Sequence, residues 1–310
     1  MKSLLFIITF SIASTLVMGQ CCSAGNPLTG IGDYSSLKAK TIKLSTAYKS
    51  SVSSGYYHGA EIECGPIHNK IDHAYFDFLE MSLLYSATNR LSMQADLGYF
   101  LNKAEIYENQ ATSDAIGKGL GDLGLQLRYT IYRNVFRKLE VNGGAGIKIP
   151  IGVFDQEAGN IRLQLPVQPS SGSYKYFANL FLGKAFSEKF SVYGFGMFEW
   201  AQWINMENFE YKYGNVYQMA FGANYKLIKN LSAGINVLGE IKARSHREEN
   251  QIVNATGGQF VSVTPALSYS LKDIMMIESR CRIPVYKYYN GLQIGNRFMF
   301  EIRLSKKFRI

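Results

Sequence analysis

The chain has 310 residues, a formal net charge of +9, a charged fraction of only 18% and an aromatic fraction of 14%. A mean hydropathy near neutral excludes a bundle of membrane-crossing helices, and the absence of a basic helix argues against nucleic acid as partner. No Pro/Gly/Ser linker divides the chain, so one large all-β domain is the simplest reading.

Lys2, the apolar run from Leu4 to Val17 and the small Gly19 predict a secretory signal peptide over 1–19, cut after Gly19 or Gln20. Its apolar core is too short to stay as an anchor. No later stretch approaches 18 consecutive apolar residues, which leaves export and barrel insertion as the route for a membrane protein. Gln20 beside Cys21 departs from the small residue that lipoprotein signals place there. Residues 20–37 are small and turn-prone, and they predict a periplasmic tail or an inward plug ahead of a barrel over 38–310.

The first predicted strand is Lys40 to Lys49, with Ile42, Leu44, Thr46 and Tyr48 on one face, followed by a long connection from Ser50 to His73. Ala74–Ser86 is the second and turns tightly into the third, where Leu91, Met93, Ala95, Leu97, Tyr99 and Leu101 oppose Ser92, Gln94, Asp96, Gly98 and Asn102. The fourth sets Leu123, Leu125, Leu127, Tyr129 and Ile131 against Asp122, Gln126, Arg128 and Thr130. The fifth, from Leu139 to Ile149, opposes Glu140, Asn142 and Lys148. Strands six (Tyr174–Phe186) and seven (Phe190–Trp203) alternate weakly; eight (Val216–Lys226), nine (Leu231–Lys242) and ten (Gln259–Leu271) do so more clearly.

The eleventh, Met275–Pro284, points Glu278, Arg280 and Arg282 inward and leaves Cys281 as a lone buried thiol on the apolar face. The twelfth is the most regular. From Leu292 the even positions Ile294, Phe298, Phe300, Ile302 and Leu304 are oily, while Arg297, Glu301, Arg303 and Lys307 lie opposite. About eighteen alternating residues exceed the usual strand and suit one tilted across a bilayer. Connections after odd strands are long and those after even strands are short, the asymmetry of extracellular loops and periplasmic turns. The expectation is therefore a 12-stranded antiparallel transmembrane β-barrel in the outer membrane of a Gram-negative bacterium, with outer-membrane lipid as its surroundings.

Gly119-Leu120-Gly121-Asp122-Leu123-Gly124 entering the fourth strand, with Cys21-Cys22-Ser23-Ala24-Gly25 after the signal, resembles an outer-membrane barrel transporter family of the MetA-pathway phenol-degradation type, particularly its Bacteroidetes members. That resemblance implies passage of small, often hydrophobic, molecules and brings no catalytic residue. The terminal Phe308-Arg309-Ile310 looks like the strand signal read by the barrel assembly machinery.

The inward faces gather Asp96, Asp122, Arg128, Glu140, Lys148, Glu240, Lys242, Glu278, Arg280, Arg282, Glu301 and Arg303 as lumen-lining candidates. Both signs are present, so strong ion selectivity is not indicated; a salt-bridged lining and a conduction path for a small-molecule solute are the alternatives. His58, His68 and His73 share the first long connection with Cys64, offering zinc or copper ligands or simply solvated side chains. With every histidine assigned to a connection, no Ser-His pair is available on the barrel wall, and no enzyme is expected. A non-conducting barrel whose loops bind a partner protein or a metal is the alternative to a channel.

Overall fold

The computed structural model describes residues 35–109, 113–206, 209–271 and 274–310. The expected signal peptide, Cys21 and Cys22, and the 20–37 segment up to residue 34 lie outside the described residues.

Among the described residues, eleven antiparallel strands form a ring: β1 (Thr41–Gly59), β2 (Ile71–Ser86), β3 (Leu91–Tyr107), β4 (Leu123–Asn134), β5 (Leu139–Ile149), β6 (Lys175–Ala185), β7 (Phe190–Ala201), β8 (Val216–Ile228), β9 (Leu231–Lys242), β10 (Gly258–Leu271) and β11 (Met275–Arg309). Consecutive strands pair, and β11 pairs with β1 from Arg309–Thr41 upward, which closes the sheet. Closure satisfies every strand on both sides, the condition for a sheet to lie in hydrocarbon.

The two last expected strands run together as the 35-residue β11. Its first limb ladders with β10 and its second with β1. The Lys307 N–H donates to the Ile274 carbonyl at 2.8 Å, so the limbs lie side by side. The chain reverses at Asn290-Gly291, where Gly291 takes φ +66°, a left-handed conformation that costs glycine little. Eleven strands thus supply twelve staves.

Period-two alternation decides what faces where. In β1, Lys43, Ser45, Ala47, Lys49 and Ser51 are buried, while Leu44, Thr46 and Tyr48 are exposed. In β4, Gln126, Arg128 and Thr130 are buried, while Leu125, Leu127, Tyr129 and Ile131 are exposed. The outer surface therefore collects large apolar side chains, with Tyr85, Phe190, Tyr225, Tyr269 and Phe308 toward the short turns and Tyr99, Tyr176, Trp200, Tyr217 and Tyr286 toward the other end. Two aromatic belts flanking an aliphatic band match a bilayer's two interfaces. Among the described residues no helix is long and apolar enough to cross a membrane, so any crossing is made by these strands.

Several boundaries differ from the sequence expectation. β1 continues to Gly59 and β2 begins at Ile71, so the expected connection from Ser50 to His73 shrinks to residues 60–70. Register shifts at Val52/Ser53 and Ser53/Tyr56, with Gly55 at φ +74°, break the alternation there and conceal the continuing strand. The same shifts turn Ile294 inward, against Tyr56, Ile71 and Ala74, so the oily face of the last strand does not continue evenly to Leu292. Cys281 is a free, half-buried thiol.

Long connections crowd one end. Ala115–Leu120 folds back on β3, and Ile204–Met206, Phe209–Lys212, Ser245–Arg247 and Gln251–Val253 form a small separate sheet. Ile204, Tyr211 and Val253 pack there with Phe154, Leu165, Phe209 and Tyr213. The segment 163–173 reaches into the barrel mouth: Val167, Gln168, Ser170 and Ser173 are all but fully buried. Ser170 and Ser171 hydroxyls donate to Asp122 at 2.7 and 2.6 Å, and Lys103 Nζ donates to the Gln168 carbonyl at 2.7 Å. This end is capped.

Leu127 sits mid-strand on the outer face. Leu127→Arg is expected to lower the unfolding free energy of the barrel in lipid vesicles by about 2–4 kcal/mol, the cost of a cation near the bilayer midplane. Urea titration reads it; an unchanged midpoint would remove the lipid-facing assignment of this wall.

Candidate functional site: the barrel lumen

β1, β2 and β11 build one ionic wall. Two residues apart on a strand share a face, which puts Glu278 beside Arg280 and Glu301 beside Arg303. Arg280 grips Glu278 with two hydrogen bonds of 2.8 and 2.9 Å. Arg303 lies 2.8 Å from Glu301 and reaches 2.7 Å to Glu80 on β2, and Lys49 on β1 lies 2.6 Å from Glu80 and 3.8 Å from Glu301. Two cations thus share two carboxylates. Lys49 and Glu80 are absent from the sequence candidates although parity marks them: Lys49 follows Lys43, Ser45 and Ala47, and Glu80 lies between Leu79 and Met81.

The remaining candidates are spread over the other staves. Lys148 pairs with Glu199, and Lys242 lies 3.0 Å from Glu240, which also accepts from Gln218 at 2.5 Å. Gln94 donates to Asp96 at 2.6 Å and accepts from Arg128, which also reaches Gln126. Asp122 holds the inserted loop. Glu140 accepts from the Ser36 N–H and hydroxyl at 2.6 and 2.8 Å, so the chain ahead of β1 passes inside the short-turn end. Lys175 places its ammonium 4.4 Å from the Tyr213 ring in the capping loops, where burial pushes the Tyr213 hydroxyl above its usual pKa.

The interior is not uniformly polar. Phe76, Phe78 and Phe100 form one buried aromatic group, and Phe181, Phe195, Met197, Ala220 and Leu238 form another with Phe177 and Tyr193. These inward apolar residues explain the weak alternation of strands six and seven, and they hide Lys175 and Glu199 from a reading based on it. Phe78 and Tyr193 lie along the wall because each is packed on a glycine of the next strand. A Cβ at Gly98 would sit 1.8 Å from the Phe78 ring, and one at Gly222 would sit 2.3 Å from the Tyr193 ring.

Flat rings leave space. A cavity of about 490 Å³ opens at the short-turn end between Phe181 and Tyr193 on one side and Glu278, Arg280, Arg282 and Glu301 on the other. Above it lies a pocket of about 50 Å³ beside Glu240, Lys242, Phe260 and Tyr289. Arg282 borders both.

The metal candidates separate. His58 lies on β1 and His73 on β2, not in a connection, and His246 lies on the short strand Ser245–Arg247, so the expectation that every histidine sits in a loop is corrected. The longer β1 and β2 carry two of them onto the wall. His73 Nδ1 is 2.8 Å from Asp72, and Cys64 is exposed and free. Among the described residues no group of three or more His, Cys, Asp or Glu is arranged to hold a metal ion, so His58, Cys64, His68 and His73 are not drawn together.

No protein-family model matches the chain, and no curated protein matches it. An outer-membrane channel from Pseudomonas putida F1 is similar in structure at a TM-score of 0.72 and 14% identity, over 90% of this chain and 99% of that one. The β domain of the Bordetella autotransporter BrkA is similar at a TM-score of 0.50 and 8% identity, over 87% and 100%. The chain has the fold of outer-membrane β-barrels.

Lys49 and Glu80 are coupled at 2.6 Å in the wall, and a double-mutant cycle measures that coupling. Lys49→Met and Glu80→Gln are each expected to destabilise, and the double variant to lose less than the two losses added, by roughly 0.5–3 kcal/mol in urea unfolding. Strict additivity would mean that the pair contributes nothing.

Proposed function

We propose that the barrel is an outer-membrane channel or facilitator for small solutes, hydrophobic ones included, passing through a charged lumen. The observation that carries this reading is the interior itself: a closed ring, with paired charges on one inner wall and aromatic residues on another, encloses a cavity of about 490 Å³. Twelve staves lie between small side-chain-filled barrels and wide porins, so a narrow solute path is the expected bore. Pairing keeps the wall polar without a strong field of one sign, and the aromatic groups give apolar portions of a solute somewhere to rest. A role as a carrier of the MetA-pathway phenol-degradation type agrees with such a lumen. The oil-facing belt would take outer-membrane lipid, and Phe308-Arg309-Ile310 would address the barrel assembly machinery.

The capped long-loop end favours a second reading, a non-conducting barrel that presents its small loop sheet to a partner. Planar-bilayer recording separates the two. Steady openings whose conductance changes in Arg280→Ala and Glu301→Ala are the expected result. A well-folded barrel that stays silent would overturn the channel reading and leave the loop-binding one.

A further inference from the structure

The lower cavity has two unlike walls, and the difference between them defines a ligand. One wall is flat and aromatic: Phe181 and Tyr193 stack with centroids 5.9 Å apart and planes 27° apart. Tyr193 lies down only because Gly222 is opposite, and Asn236 Nδ2 donates to its oxygen at 3.0 Å, which leaves the phenol hydrogen available for an acceptor in the cavity. Val192, Met276 and Met299 extend the apolar lining.

The other wall is ionic but unevenly balanced. Each carboxylate that borders the cavity is already held: Glu278 by Arg280, Glu301 by Arg303 and Lys49, and Glu140 by Ser36 and Asn142. Arg282 is different. Among the described residues its guanidinium makes no ion pair and no hydrogen bond, while Glu240 and Glu301 act on it only from a distance. Five N–H donors in a planar fork therefore stand at the junction of the lower cavity and the upper pocket, half-buried and uncommitted. A guanidinium in that state favours a planar, bidentate anion, and a carboxylate matches the fork.

We propose that this cavity binds a small aromatic carboxylate, its anionic head on Arg282 and its ring against Phe181 and Tyr193. The volume suits the class, since about 490 Å³ falls within the roughly 300–1,000 Å³ of small-molecule sites. An uncharged aromatic would leave Arg282 unmatched, and a simple anion such as acetate would leave the stacked rings unused. The inference rests on the channel reading for its purpose but not for its test, because occupancy is measurable whether or not the barrel conducts.

Benzoate, benzyl alcohol and acetate are titrated calorimetrically into the full-length protein in detergent. Benzoate is expected to bind more tightly than either of the others. Arg282→Met should weaken benzoate by about tenfold or more and leave benzyl alcohol within about twofold, while Arg282→Lys should keep part of the preference for benzoate. Heat-dependent gel mobility confirms that each variant is a folded barrel. Equal affinity for benzoate and benzyl alcohol, or benzoate affinity unmoved by folded Arg282→Met, overturns the proposal. Bilayer recording fails separately: a silent barrel that binds benzoate through Arg282 ends the channel reading and keeps this site, and a conducting barrel indifferent to benzoate does the reverse.

Discussion

The pairing of β11 with β1 is the constraint on which the rest depends. A sheet that stops with an unpaired edge cannot lie in hydrocarbon, because each bare N–H or C=O there costs several kcal/mol. Once Arg309 meets Thr41 and the ladder runs up to Gly59, every stave has two neighbours and the pleat has only two sides, outside and inside. Leu44, Leu127, Ile235 and Ile302 go to the outside, and Lys49, Arg128, Asn236 and Glu301 go to the inside. The dry outer face and the charged inner face are one geometric fact seen from two directions.

Inside the ring, charge has to be arranged so that no ion is stranded. On the β1–β2–β11 wall this is done by sharing, two cations over two carboxylates, so that no group depends on a single partner. Elsewhere it is done locally, by a pair such as Lys242 with Glu240 or by an amide such as Gln94 beside Asp96. Against that background Arg282 stands out, since among the described residues nothing pairs with it, and burial of a charge without a partner is costly unless something else supplies the counter-charge. It lies between the two hollows and lines both.

Glycine sets how much of the interior is hollow. Phe78 over Gly98 and Tyr193 over Gly222 lie along the wall; with a side chain at either glycine the rings would have to stand out into the lumen and fill it. The long-loop end is handled differently. There a loop enters the mouth and is held by Asp122 and Lys103, charged groups rooted in the barrel, so the cap is attached to the wall it covers. The two ends are therefore unequal, one roofed by ordered loops and the other opening on the larger cavity.

The sequence by itself determined the membrane barrel, because alternation is a local property: each Leu127 beside an Arg128 declares its side of the sheet without knowing its neighbours. It marked the short turns for the same reason and pointed to Glu278, Arg280, Glu301 and Arg303 as inward charges, but it overran the first long connection, which begins only after Gly59, and expected a long one where the last strand reverses at Asn290-Gly291. Only the tertiary structure decided which of these meet, since Lys49, Glu80 and Arg303 come from three staves far apart in the chain and are brought together by register. It also decided where alternation fails, at the β1 bulges that turn Tyr56 and Ile294 inward, and in β6 and β7, where Phe181 and Phe195 face a lumen that a polar-inside rule would not give them. A bulge shifts parity by one residue, and an inward ring such as Tyr193 lies along the wall over a glycine, Gly222, on the next strand. Both depend on the partner strand, which no single stretch of sequence contains.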